Sequence, residues 1–522
     1  MFKTIKNDIP ASIVVFFVAL PLCLGIALAS GAPLFSGLIA GIIGGIIVGS
    51  LSGSKIGVSG PAAGLAAIVL TAIGSLGGYE NFLVAVVLGG VIQLVFGLLK
   101  AGIIGYYFPS SVIKGMLTGI GIIIILKQIP HFFGYDKAFT LFKVNGESTT
   151  TQILNIFDHI QLGSTLIGVI GLAVLILWDK VLSKKGKIFQ IIQGPLVAVA
   201  AGIVFYIITQ SNPTLAITHS HLVSVPIPED MSSFLGQFSF PNFEVITNPE
   251  IWIVAFTLAL VASLETLLCV EATDKLDPNK NVTPTNRELL AQGTGNILSG
   301  LIGGLPITQV IVRSSANIQS GGRSKLSAII HGFLLLISVM IIPRLLNMIP
   351  LSVLAAILLI VGYKLAKPGL FKKMYDLGWK QFIPFTVTVI GIVFIDLLYG
   401  IGLGLSVGIV VILIKSYQNS HFLHKEGEGL DDSRVKMTLA EEVTFFNKGA
   451  ILKELDNLPE NSHLELDVRK TRYLDNDIIE ILDDFAFKAK ERNINIKLIS
   501  ERGEAENPPS YIEFFKLRQK SA

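Results

Sequence analysis

The segment GGLPITQVIVRSSANIQSGG, residues 303–322, interrupts a long series of apolar stretches with a short and polar one. A helix that spans a membrane needs about 20 mostly apolar residues, and the stretch at 307–320 is too short to span alone. The first half of the chain has a counterpart, because SGPAAG at 59–64 opens an equally short segment at 61–75. Both begin with a proline-containing turn. The sequence therefore predicts two broken or half-helices inside a membrane-embedded chain.

The composition indicates that this membrane-embedded part is followed by a water-soluble tail. Of the 522 residues, 51% are apolar and 15% are charged, whereas soluble proteins carry about 25% charged residues. Residues 1–424 contain 25 basic and 17 acidic side chains, and residues 425–522 contain 16 and 21. The basic excess is scattered between apolar runs, which argues against nucleic acid as a partner. We predict a transmembrane domain over 1–420 and a cytoplasmic domain over 432–518.

Apolar runs recur so closely before the tail that fourteen spans fit. They lie at 10–30, 36–54, 61–75, 82–100, 103–126, 162–178, 191–210, 251–270, 288–304, 307–320, 326–343, 350–366, 381–396 and 398–415. With a cytoplasmic N-terminus, the Lys and Arg of the short loops collect on the cytoplasmic side, and an even count returns the chain to that side. This pattern predicts a multi-pass protein of the cell (inner) membrane, in contact with the lipid bilayer, with both termini in the cytoplasm.

An internal repeat relates the two halves of the chain. SGLIAGIIGG at 36–45 resembles GNILSGLIGG at 295–304, and each precedes one of the half-helices. Division into seven plus seven spans, at about 10–210 and 251–415, places the repeats in opposite orientations because seven is odd. Paired interrupted segments in inverted repeats indicate the binding site of a transporter. The alternative is that glycine-rich membrane segments resemble one another through close helix packing.

Two half-helices whose N-termini face each other would form a site for a small anion. Their free backbone N–H groups carry partial positive charge. The expected contacts are Ala62, Ala63 and Gly64 on one side and Thr308, Gln309 and Val310 on the other.

Two charged residues inside predicted spans are further candidates. Arg313 lies four residues beyond Gln309 and so on the same helix face; it either assists anion binding or extends to the cytoplasmic helix end. Glu265 lies in the middle of the eighth span with Cys269 on its face. Beside an anion, this carboxylate must hold a cation, take a proton or pair with Arg313. We therefore predict Glu265 and Cys269 as coupling residues and keep a structural Glu265–Arg313 ion pair as the alternative.

The remaining motifs do not indicate an enzyme, a cofactor or a metal site. Cys23 and Cys269 lie in separate apolar stretches, without the spacing of a disulfide framework or a zinc site. His219 and His221 form a close pair but lack a fixed third ligand. The sequence has no Walker motif, nucleophile elbow or HExxH helix.

The tail alternates in the manner of a soluble α/β domain. Strands are predicted at 435–439, 443–446, 463–468 and 494–500, the last being the final strand, and helices at 449–458 and 476–493.

Several motifs together resemble the sulfate permease (SulP) family of anion transporters, related to pendrin and prestin. They are PLCLGIALASG at 21–31, SGPAAG, LETLL at 264–268 followed by ATDKL, the segment at 303–322, and the α/β tail, which resembles a STAS domain. The resemblance covers nearly the whole chain. It implies an all-α polytopic membrane protein of fourteen spans in two inverted seven-span repeats that form core and gate domains, with a small cytoplasmic STAS-like domain. It also implies an anion site between spans three and ten, elevator-like alternating access and a homodimer.

The expected function is secondary active transport of a small inorganic oxyanion, bicarbonate or sulfate, coupled to Na⁺ or H⁺. The resemblance assigns the anion contacts to the backbone positions named above, and it places Glu265 and Arg313 at an acidic and a basic position of the family. Bicarbonate transporters of this family that use sodium carry an Asp and a Thr one helical turn apart. This chain has Glu265 and Cys269 instead, which argues against a sodium site. The alternatives are a passive anion channel or an anion exchanger, a nucleobase–proton symporter of the same fold, and a membrane platform whose tail recruits a soluble partner.

Overall fold

A computed structural model describes residues 4–103, 109–135, 160–186, 189, 193–227, 236–395, 397–418, 421–426, 434–501 and 503–514. Positions 104–108, 191–192 and 396 of the predicted spans, and both ends of the predicted tail domain, lie outside these residues. The chain divides into two compact units, Met1–Leu405 and Ser406–Ala522. The boundary falls within the last transmembrane helix.

Each of the fourteen predicted spans contains a helix in the described residues. The helices are α1 (Ile5–Ala29), α2 (Leu34–Ile43), α3 (Ala66–Ser75), α4 (Tyr79–Leu98), α5 (Ser110–Phe132), α6 (Leu162–Lys180), α7 (Gly194–Thr209), α8 (Pro249–Leu276), α9 (Thr285–Leu301), α10 (Ile311–Gln319), α11 (Leu326–Ile341), α12 (Leu351–Leu365), α13 (Trp379–Phe394) and α14 (Leu397–Gln418). Seven of the described segments are long and apolar enough to cross a membrane by length and composition. The predicted membrane fold is thereby confirmed, and α3 and α10 are the predicted half-helices.

A short antiparallel strand pair lies directly before the two half-helices. Strand β1 (Ser59–Pro61) pairs with β2 (Ile307–Gln309), with Gly60 opposite Thr308. A 3₁₀ turn at Ala63–Leu65 connects β1 to α3, and α10 follows β2 after Val310. Because the strands are antiparallel, the two half-helices begin at opposite ends of the pair. This arrangement is expected of two repeats in opposite orientations.

Gly44 allows the backbone of α2 to contact the backbone of the strand pair. The helix continues as a π-helical turn at Gly44–Val48, a form frequent at functional sites. A Cβ added to Gly44 would lie 2.5 Å from the carbonyl oxygen of Ser59. Only glycine fits at this position, so the backbones of α2 and β1 are in direct contact.

The transmembrane helices form two packed groups that each combine both repeats. Helices α1, α2 and α4 pack with α8, α9 and α11, and α5, α6 and α7 pack with α12 and α13. Helix α14 contacts α13 where Gly400 meets Ile392. Helix α1 also packs against α12, where a Cβ on Gly25 would lie 3.2 Å from Cγ of Leu358. The strand pair belongs to the first group, since it contacts α2, α8 and α9.

The second unit contains a five-stranded sheet in the order β3-β4-β6-β8-β9. The strands are β3 (His421–Glu426), β4 (Arg434–Leu439), β5 (Glu442–Val443), β6 (His463–Asp467), β7 (Tyr473–Leu474), β8 (Asn495–Ser500) and β9 (Gly503–Glu506), and the helices are α15 (Lys448–Asp456) and α16 (Asn476–Glu491). The inner strands β4, β6 and β8 are parallel. Buried side chains of these strands pack against α15 and α16 in a separate core, as expected of a STAS-like domain.

Two tail predictions were wrong. The segment at 443–446 is not a four-residue strand, because Thr444 and Asn447 form a capping box that turns Phe445–Asn447 into a 3₁₀ helix. The strand at 495–500 is not the last, since β9 pairs with it along one edge of the sheet. Strand β3 also precedes the first predicted strand. Edge strands such as β3 and β9 carry polar sequences, so their apolar alternation is weak.

Candidate anion site

The candidate site lies where the strand pair and the two half-helices meet the middle of α8. Strand residues Gly60, Thr308 and Gln309 are buried. Helix α8 brings four side chains to this region from three successive turns: Glu265 and Thr266, then Cys269, then Thr273. Glu265 and Cys269 are the two coupling residues predicted from the sequence.

The Glu265 carboxylate lies at the start of the first half-helix. It interacts with the backbone N–H of Gly64, and a Cβ on Gly64 would lie 2.7 Å from Oε2 and 2.8 Å from Oε1. Oε2 has no hydrogen-bond partner among the described residues. A carboxylate at a helix N-terminus is stabilised by the partial positive charge there. Glu265 therefore occupies one of the positions at which we predicted an anion.

Three polar side chains of α8 contact strand β2 and the start of the second half-helix. The thiol of Cys269 interacts with the backbone N–H of Ile311, the first residue of α10. The N–H of Gln309 donates to Oγ1 of Thr266 at 3.3 Å, and its side-chain Nε2 donates to Oγ1 of Thr273 at 3.2 Å. The role of Thr273 was not predicted from the sequence, where its seven-residue spacing from Thr266 was the available signal.

The residues of this region differ in how accessible they are to solvent. Ala63, Glu265, Cys269 and Val310 are half-buried, whereas Ala62, Gly64, Thr308 and Gln309 are buried. The N–H of Val310 donates to the carbonyl oxygen of Val58 at 2.9 Å, so this predicted donor is already engaged. The open side of the site is therefore formed by both half-helix starts together with the carboxylate and thiol of α8.

Arg313 lies apart from Glu265 in a buried pocket between α1, α2 and α10. Its Nη2 donates to Sγ of Cys23 at 3.3 Å, and its Nη1 lies against Gly60, whose added Cβ would be 2.0 Å away. Nε and Nη1 have no hydrogen-bond partner in the described part of the chain, which also places no carboxylate within 4 Å of the guanidinium. The alternative of a Glu265–Arg313 ion pair is thus not formed in this structure.

A polar row on α9 that was not predicted from the sequence holds the strand pair in place. Asn296 donates to the carbonyl oxygen of Ile307 at 3.1 Å and accepts from its N–H at 2.6 Å. One turn earlier, Gln292 donates to Oγ of Ser59 on β1 at 2.8 Å and to Glu288 at 3.0 Å. These side chains satisfy strand groups that would be costly to leave unpaired in a membrane. Their four-residue spacing was the signal in the sequence.

Oε2 of Glu265 and Oε1 of Gln309 have no hydrogen-bond partner among the described residues. Among the described residues, no group of three or more His, Cys, Asp and Glu side chains could hold one. The pair His219 and His221 lies in a short 3₁₀ turn. Sodium would require oxygen ligands, and Cys269 offers a sulfur one turn from Glu265.

Comparison with known proteins identifies the family to which the chain belongs. The model of the sulfate permease family matches residues 5–388. The chain belongs to the sulfate permease family. Among its relatives, the putative sulfate transporter YvdB of Bacillus subtilis is 27% identical over 510 residues, covering 95% of this chain and 91% of the relative. The bicarbonate transporter BicA of Picosynechococcus is 28% identical over 420 residues, covering 78% and 70%.

Solved structures agree with this assignment. The transmembrane domain of a cyanobacterium bicarbonate transporter BicA has a TM-score of 0.65 at 27% identity and covers 77% of this chain and 98% of that one. The murine Solute Carrier 26 family member A9 anion transporter, in the inward-facing state, has a TM-score of 0.77 and covers 95% and 85%, and at 16% identity it shows the fold alone. As a sulfate permease family member, this protein is an integral membrane anion transporter for small inorganic anions and not an enzyme.

Proposed function

We propose that this protein is a secondary active transporter of bicarbonate or sulfate that couples anion uptake to a cation through Glu265. The single observation that carries the proposal is the position of the Glu265 carboxylate at the N-terminus of the first half-helix, beside Gly64. The relatives named as sulfate and bicarbonate transporters support the choice of anion.

The geometry supports a proton as the coupling ion. An anion that binds between the half-helices would be repelled by an ionised Glu265, and this repulsion ends when the carboxylate takes up a proton. A proton needs no further ligands, whereas Na⁺ would need several oxygens and Cys269 offers sulfur. Binding of the anion and of the proton would therefore favour each other, which is the thermodynamic requirement for symport.

The helix packing supports an elevator movement. The strand pair, α10 and α8 belong to one packed group, and α3 contacts α1 and α4 of that group as well as α5 of the other. In the proposed movement the site travels as a unit against the helices of the other group. A disulfide between Gly25→Cys on α1 and Leu358→Cys on α12 would join the two groups, and we expect it to stop uptake until it is reduced. The parent for this test carries Cys23→Ser and Cys269→Ser, and it must itself retain uptake.

The cellular location, the orientation of the chain and its oligomeric state are part of the proposal. We infer a cell-membrane location with both termini in the cytoplasm from the distribution of basic loop residues. We also infer a homodimer, with the STAS-like domain available to a soluble partner.

The deciding experiment measures uptake of labelled bicarbonate and labelled sulfate into proteoliposomes under separate proton and sodium gradients. We expect one anion to accumulate under a proton gradient. Glu265→Gln should abolish the gradient dependence, because the neutral amide imitates a permanently protonated carboxyl, while exchange of internal for external anion persists.

The matched control is Glu271→Gln on the same helix. Glu271 is half exposed and pairs with Lys275, so its loss should leave coupling unchanged. Accumulation driven only by sodium would refute proton coupling, and uptake of neither anion would refute the proposed substrates. Equal gradient dependence in the wild type and Glu265→Gln would remove Glu265 from the mechanism.

A further inference from the structure

A cavity of about 530 Å³ lies between α5, α6 and α12, outside the candidate anion site. Its walls are apolar over most of their length, with Leu172 and Ile176 from α6 and Leu359 and Ile360 from α12. Ile176 is 40% exposed. The volume falls within the range of small-molecule sites, roughly 300 to 1,000 Å³.

One end of this cavity is strongly basic. Lys180 from the last turn of α6, Lys364 from the last turn of α12 and Lys367 just beyond it all line it, with Asp179 as the acidic residue. Lys364 pairs with Asp179 at 2.9 Å, which leaves a net charge of two positive units from these four residues. Tyr363, 54% exposed, lies beside them, as aromatic side chains do at membrane interfaces.

We propose that this cavity, here called the α6–α12 groove, binds an anionic phospholipid. The phosphate would lie between Lys180 and Lys367, and an acyl chain would lie along Leu172, Ile176 and Ile360. An apolar trough that ends in several lysines matches both parts of such a lipid, because basic pockets between transmembrane helices bind anionic headgroups. The inference requires only that the chain lies in a membrane and does not depend on the transport mechanism.

The test compares lipid retention by the purified full-length protein, measured by native mass spectrometry after exposure to phosphatidylglycerol or phosphatidylcholine. We expect the wild type to retain phosphatidylglycerol preferentially. Lys180→Ala with Lys367→Ala should weaken that binding by about fivefold for each lysine removed. Lys372→Ala with Lys373→Ala removes the same charge from exposed positions outside the groove and should leave retention unchanged.

A second variant tests the apolar wall, since Ile360→Trp should fill the trough and reduce retention while all lysines remain. Soluble glycerol phosphate should not compete, because it lacks the acyl chain. Equal loss in both lysine pairs, effective competition by glycerol phosphate, or a change in oligomeric state without a change in lipid retention would each overturn the proposal.

Discussion

Gly64 and Glu265 are in direct contact, and a side chain on Gly64 would displace the carboxylate that lies at the start of the first half-helix. The added Cβ would be 2.7 Å from Oε2 of Glu265, closer than real Cβ atoms approach a neighbour. The contact joins the third span to the eighth, one from each repeat. It places the Glu265 carboxylate against the backbone group that was expected to bind an anion.

Substitution Gly64→Ala should separate these two groups. We expect initial uptake in proteoliposomes to fall by about tenfold or more, equivalent to ~1.4 kcal/mol, with thermal unfolding little changed because Glu265 can rotate away. Gly74→Ala on the same half-helix is the matched control, since nothing lies within 4 Å of its added Cβ. Equal uptake by both variants would contradict the importance of this contact.

The two cysteines provide a direct probe of the site. Cys269 is half-buried beside Glu265, whereas Cys23 is fully buried. A small anionic thiosulfonate reagent should therefore label Cys269 and spare Cys23, and saturating substrate should slow the labelling. Mass spectrometry of Cys23→Ser and Cys269→Ser variants identifies the labelled thiol. Labelling that is insensitive to substrate would place the anion elsewhere.

Replacement of Arg313 by Met separates a structural role from an anion-binding role. A buried ion without a carboxylate partner is costly, and its replacement by an apolar side chain of similar size is often neutral or stabilising. We expect Arg313→Met to keep or raise the thermal unfolding midpoint while the KM for anion uptake increases. Arg323→Met, at an exposed position, should change neither quantity. An unchanged KM in Arg313→Met would show that the guanidinium does not assist binding.

Asn296 should be needed for the stability of the strand pair. Asn296→Leu leaves both backbone groups of Ile307 without their partner, and each unsatisfied buried group costs about 1–3 kcal/mol. We expect a lower midpoint of thermal unfolding in detergent together with weaker substrate binding. Thr294→Val is the control, because its hydroxyl donates only to Leu290 within its own helix. Similar midpoints for the two variants would contradict this role.

The STAS-like domain should lose stability in acid through Asp467. The hydrogen bond from Arg469 is the main cause that holds the pKa of Asp467 below its ordinary value, against the opposing effect of burial. A lowered folded-state pKa stabilises the domain above the unfolded value of about 3.9, and this contribution is lost as pH falls through the folded-state pKa. Urea unfolding of residues 421–522 at pH 7 and below pH 4 should show it.

In the same measurement, Asp467→Asn should be less stable than the wild type at pH 7 and similar to it at the lowest pH. Asp484→Asn, at an exposed position on α16, is the control. If the wild type and Asp467→Asn differ in unfolding free energy by the same amount at low pH as at pH 7, the charge of Asp467 is not the cause of the difference.

Local patterns in the sequence predicted the transmembrane helices and most of the tail. Hydropathy over about 20 residues identifies a span without reference to its neighbours, and a proline-containing turn before a short apolar run identifies a half-helix in the same way. Edge strands β3 and β9 escaped prediction because an edge strand packs few apolar side chains. The motifs at 59–64 and 303–322 predicted both half-helices, and they contain the strand pair, whose pairing was not predicted. The sequence by itself therefore determined which two segments form the candidate site.

Only the tertiary structure decided which groups meet there. Asn296 and Gln93 are hydrogen-bonded across 203 positions of the chain, and Arg313 reaches Cys23 across 290. No local periodicity encodes such pairs, because they depend on how helices of different repeats pack. The sequence left Arg313 free to pair with Glu265, but packing against Gly60 directs its guanidinium toward Cys23. Glu265 instead lies at Gly64, where the absence of a side chain allows a carboxylate to reach the backbone N–H of a half-helix.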